Sequence, residues 1–166
     1  MKWQISQPAR TNAELRLPRE AEKYFAAGRR AIKKRASSKD LHRFRLATKR
    51  FRYTLEIFRP IYGRALERRL KTLRALQDAL GKISDSQTLI DVLDGDPALR
   101  KELDQALKKN VKQFRKEWTA FDSAGRLEEW KAYLGGEPRP ALAGPTLHHR
   151  APRARLKQPA RSAMLE

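Results

Sequence analysis

The chain has 166 residues, with 38 Lys+Arg against 19 Asp+Glu, a net charge of +19, 40% apolar and 34% charged residues, and no cysteine. That length suits one domain with its own core, and the lack of cysteine excludes disulfide scaffolds, thiolate zinc sites and cysteine nucleophiles. No apolar run nears the roughly 18–20 residues of a membrane span, and Met1 to Ser6 lacks the apolar stretch of a signal peptide, so a soluble, cytoplasmic protein is expected.

In chain order the spacing predicts helices and no strand. The first is expected from about Pro18, a good first-turn residue, to Arg35, with Ala21, Phe25, Gly28 and Ile32 on one face. Ser37-Ser38-Lys39-Asp40 offers caps for a second helix that runs to Arg59 and stops at Pro60. After Tyr62-Gly63 a third reaches Leu80, with Gly81 as its stop. Ser84-x-x-Gln87 reads as a capping box for a short fourth helix ending at Asp94-Gly95. Asp96-Pro97 opens a fifth that runs to about Asp122, and Leu127 to Leu134 adds a short sixth. The expected fold is all-α, an up-and-down antiparallel helical bundle over residues 1–135. Residues 136–166, with five prolines and scattered bases, are expected to form a disordered basic tail. His148-His149 within it lacks the further ligands of a closed metal site.

The charge is concentrated. Residues 29–74 hold 17 bases and only Asp40, Glu56 and Glu67 as acids, so 14 of the 19 excess charges lie there. A like-charge block is usually a disordered tail, but this one carries Leu41, Phe44, Thr48, Phe51, Leu55 and Phe58 on a single helical stripe. His42, Arg45, Lys49 and Arg52 form a second stripe beside it, with Arg43 and Arg50 further round. Like charges three or four residues apart repel, so this stripe costs the free protein stability, and only Glu56 interrupts it. Arg64, Arg68, Lys71 and Arg74 lie opposite the Leu66, Leu70, Leu73 and Leu80 face of the next helix. Lys101, Lys108, Lys112 and Arg115 line one side of the fifth. If the apolar seams meet, these stripes can converge on one cationic surface that concentrates a polyanion.

The run from Leu41 to Tyr53 resembles the signature of the CHAD family, the conserved histidine α-helical domain. Its pattern His-x-x-Arg-x-x-x-(Lys/Arg)-(Lys/Arg)-x-Arg is filled by His42, Arg45, Lys49, Arg50 and Arg52. Leu70-Lys71, Leu76-Gln77-Asp78-x-Leu80-Gly81 and Asp85 are similar to the family's next helix and loop, and the resemblance covers about residues 30–121. Family members usually carry two such halves facing across a basic groove. This chain holds one, worded like the C-terminal half, and Ser84 stands where the N-terminal-half version has arginine. The resemblance implies non-catalytic binding of inorganic polyphosphate by His42, Arg45, Lys49, Arg50, Arg52, Arg68, Lys71, Arg74, Lys108, Lys112 and Arg115. A missing second wall suggests a homodimer promoted by ligand. The Glu-x-Glu-x-Lys motif of the triphosphatase fused to some relatives is absent; Glu20-Ala-Glu22-Lys23 has the wrong spacing.

Three other readings compete. The stripe could be a plain solvated face. The chain could bind the phosphate backbone of nucleic acid, with Tyr53 and Trp3 as stacking groups, although no base-reading motif is present. Asp78 and Asp85 with His42 could form a metal-assisted phosphatase site, but acids near basic helices are more often ion-pair partners. No cofactor, metal, membrane or enzymatic activity is expected.

Overall fold

The computed structural model describes residues 4–34, 36–92 and 97–136. Among these residues the chain is helical, with no strand: α1 Ala9–Ala31, α2 Ser38–Ile57, α3 Arg59–Tyr62, α4 Arg64–Val92, α5 Pro97–Phe121 and α6 Arg126–Leu134. None of these helices is long and apolar enough to cross a membrane.

Neighbouring helices run antiparallel. Tyr24 of α1 stacks on Phe44 and Phe51 of α2. Arg52 of α2 reaches Gln77 of α4, while Ser38 reaches Gln87. Asn110 of α5 donates to Ser86 of α4, and Arg29 of α1 pairs with Asp122 just past α5. The ring α1, α2, α4, α5 therefore closes as an up-and-down bundle, with α6 carrying the fourth column onward along α1, where Lys131 pairs with Glu22. The bend between α5 and α6 holds Gly125 at φ 78°, a conformation that favours glycine.

The core is aromatic at its centre. Tyr24, Phe25, Phe44, Phe51, Phe121, Trp118 and Trp130 touch in a continuous set of stacked and edge-on rings. Trp118 is fully buried and fits against Gly28, where a Cβ would lie 2.1 Å from the indole. The predicted stripe Leu41, Phe44, Thr48, Phe51, Leu55, Phe58 is buried throughout, and Thr48 satisfies its hydroxyl on the Phe44 carbonyl.

Four predicted boundaries move. α1 begins at Ala9, not Pro18, so Pro18 lies inside the helix, and it ends at Ala31, short of the expected Arg35. An interior proline costs about 3 kcal/mol, but Ala13 and Leu17 extend the buried face upstream. Asn12 also clamps the preceding turn, bonding the Gln4 amide and the Gln4 and Gln7 carbonyls. α2 ends at Ile57, and Pro60 falls in the extra turn α3. The third and fourth predicted helices are one: α4 runs through Gly81, and Ser84 is an interior residue, because Leu80, Ile83, Ser86 and Ile90 continue the buried face without a break. The second helix does start as predicted, with a capping box between Ser37 and Asp40. The fifth and sixth helices match the expected spans to within a residue or two. The Asp94-Gly95 end, the Asp96 cap, Arg35, His148-His149 and all of the predicted tail beyond Gly136 lie outside the described residues.

Candidate functional site

The α2–α4 face collects the cations. Its two helices are tied at one end by the Ser38 Oγ to Gln87 Oε1 bond (3.0 Å) and further along by Arg52 Nε to Gln77 Oε1 (3.0 Å). Between these ties His42 and Arg45 line a cleft of about 380 Å³ with Leu80, Ile83, Ser84 and Thr88. Lys49, one turn after Arg45, continues the stripe toward Arg52. His42, Arg45 and Lys49 have no ion-pair partner among the described residues. The Arg45 Nε–H is buried and meets no acceptor. A buried donor left unmatched costs about 1–3 kcal/mol; an anion entering this cleft would meet the unpaired charge of the half-buried Arg45 side chain.

Arg52 is placed differently from its neighbours. Its side chain is only 11% exposed, bonded to Gln77 and paired with Glu56 Oε1, with its guanidinium 4.2 Å from the Tyr53 ring centroid. Arg74 of α4 shares the same Glu56 oxygen at 3.0 Å. Burial pushes the Glu56 carboxyl upward, but the hydrogen bonds and charges of Arg74 and Arg52 outweigh it and hold the group below its ordinary value of 4.5. The stripe is therefore less self-repelling at this point than the spacing suggests, and Arg52 braces the α2–α4 face more than it offers itself to solvent.

This network has a pH signature. A carboxyl whose folded value is depressed stabilises the fold fully above its unfolded value, and that contribution is lost as pH falls through the folded one. Asp40 in the α2 capping box, held low chiefly by Ser37, shifts in the same direction. Stability measured by urea unfolding is thus expected to be flat above about pH 5 and to decline as pH falls below 4.5. In Glu56→Gln the part of the decline due to this carboxyl disappears.

The other predicted residues lie elsewhere. Lys71 is exposed on the outer face of α4, one turn from Arg74. Arg50 lines a narrow groove between α1 and α2 beside Glu20 and Tyr24. Arg68 lines a groove of about 540 Å³ on the far side of α4, over Phe121 and Trp130. Arg115 donates to the carbonyls of Lys33 and Lys34 at 3.1 and 3.5 Å, holding the turn that follows α1. Lys108 and Arg115 line a cleft of about 370 Å³ with Ser38, Leu41 and Ile83, three residues that also line the His42–Arg45 cleft. The α5 stripe, with exposed Lys112, thus meets the α2–α4 cations only at the start of α2, instead of converging along their length.

Some contributors escaped sequence reasoning. Glu56 as a double partner was foreshadowed only by its i,i+4 spacing from Arg52. Nothing local marked Gln77 as the anchor of Arg52, nor Thr88 as a lining residue. Asp78 and Asp85 stand seven residues apart on one helix, about 10 Å along its axis, too far to share one ion. Among the described residues no group of three or more His, Asp or Glu side chains is gathered for a metal.

The family model described as CHAD domain matches residues 2–94. The match takes in α1, upstream of the resemblance read from the sequence, and stops before α5. No curated protein and no solved structure matches the chain.

Proposed function

The chain belongs to the CHAD domain family, and on that footing we propose that it binds inorganic polyphosphate without turning it over. The observation that carries this reading is the line of unpaired basic side chains His42, Arg45 and Lys49 along α2, the first two lining one cleft. From His42 to Lys49 the unpaired part of the stripe spans about 10 Å at 1.5 Å per residue, so it addresses more than one phosphate of a chain and not a single ion. Lysine meets such a ligand as a point charge and arginine as a fork. A cytoplasmic site of action accords with this reading.

Nucleic acid is the second reading, and one observation favours it: Tyr53 is 50% exposed beside Lys49 and Arg50, with Arg52 against its ring, a surface on which a base can stack. Titration with long-chain polyphosphate and with single- and double-stranded DNA and RNA of matched phosphate count, at one salt concentration, separates the two. The expected result is tighter binding of polyphosphate, weakening steeply as salt rises, with no orthophosphate released. Equal affinity for nucleic acid promotes the second reading. Light scattering in the same titration reads a further expectation, a dimer that forms on ligand addition and leaves the free protein monomeric. The free stripes repel, and a shared polyanion cancels that repulsion.

A further inference from the structure

Five of the six described glycines have a reason inside the fold. Gly28 makes room for Trp118, Gly63, Gly125 and Gly136 hold positive φ, and Gly135 ends α6 with its Cβ position 3.1 Å from the Lys131 carbonyl. Gly81 has none. It lies inside the 29-residue helix α4, where glycine is the least favourable residue short of proline. A Cβ added there would meet nothing within 4 Å. Neither backbone geometry nor packing requires it.

Its position supplies the reason. Gly81 follows Gln77, the anchor of Arg52, by one turn and precedes Ser84, which lines the cleft with His42 and Arg45, by another. Between the 52–77 and 38–87 ties the antiparallel register sets it level with the Arg45–Lys49 turn of α2. We propose that Gly81 is a specificity-determining clearance: it keeps the α4 wall bare so that a thin, unsubstituted phosphate chain can lie against the helix within reach of Arg45 and Lys49. This rests on the polyphosphate reading and deepens it. A bare phosphate chain can bring its oxygens against the helix there, whereas a strand with a sugar between successive phosphates would meet the face chiefly through its outer charges.

The test compares the full chain with Gly81→Leu and Gly81→Gln, using inorganic polyphosphate and single-stranded RNA of matched phosphate count at one salt concentration. Both variants keep every charge, and with open space at the position both are expected to melt no lower than the parent. The expected result is a loss of about tenfold or more in polyphosphate affinity, with RNA affinity changed less than about twofold. A parent chain that binds polyphosphate and a folded variant that binds it equally well overturn the clearance role alone. Equal losses for polyphosphate and RNA overturn its selectivity. A parent chain that does not bind polyphosphate overturns the functional reading and this inference with it. Gln, uncharged and a good helix former of similar bulk, serves as the folded variant if Leu disturbs the helix.

Discussion

Replacing Arg45 and Lys49 together by glutamine is expected to lower polyphosphate affinity by at least about 100-fold, since each charge-assisted contact contributes roughly 1.5–3 kcal/mol. Neither side chain has an ion-pair partner within the fold, so the loss falls on binding. Melting temperature should hold or rise slightly as like-charge repulsion along α2 is relieved. Arg52→Gln is the contrasting variant. It removes the bond to Gln77 and the closest partner of Glu56, so it should lower stability by about 1–3 kcal/mol along with any effect on binding. Isothermal titration and thermal melts on the same preparations separate the two. If the Arg45/Lys49 variant binds as the parent does, the α2–α4 face is not the site.

The largest effect on stability is expected at Trp118. Truncating a fully buried tryptophan to alanine costs about 3–5 kcal/mol, which for a chain of this size corresponds to a fall in melting temperature of about 10 °C. Gly28→Ala attacks the same contact from the other side, driving a Cβ to 2.1 Å from the indole, and overpacking of this kind costs about 1–3 kcal/mol. The two changes should be strongly non-additive. Once the indole is gone the extra methyl has space, so the double variant should be no less stable than Trp118→Ala alone. Additive losses would show that the notch on α1 does not serve Trp118. The family match ends at residue 94, before this tryptophan, yet its ring fills the space between Tyr24, Phe25, Phe44 and Phe121.

What could be read ahead of the structure followed locality. The α2 apolar stripe, its Ser37–Asp40 cap and the cationic line beside it depend on spacings of three and four within one helix, and all are present. Pro18 and Gly81 were misread for one reason. Pro18 is a local start signal and Gly81 a local stop signal, and each sits on a helix whose buried face continues past it, so tertiary packing overrides the signal. Side-chain commitments were the least legible. Arg45 and Arg52 occupy equivalent places in one stripe, but Gln77 and Glu56 hold only Arg52. Arg115 has the spacing of a ligand-facing line and instead holds the Lys33 carbonyl just past α1, a partner 82 residues away. Charge spacing tells where a cation lies on its helix; it does not tell which carbonyl or carboxylate another helix brings to it.

The seating of Trp118 against Gly28 has a consequence for how the chain comes to be folded. These residues are separated by 90 positions, as far apart as Arg29 and Asp122 are within a few, and closing so long a loop must precede any gain from the contact. A chain made from its N-terminus presents the aromatic faces of α1 and α2 well before Trp118, Phe121 and Trp130 exist to cover them. Over the same interval it presents the most cationic stretch of the sequence, residues 29–74. The nascent protein thus combines uncovered rings with dense positive charge until its last helices emerge. Assembly of the bundle is expected to be a single late step, and the growing chain is most prone to premature capture by anionic surfaces just before it.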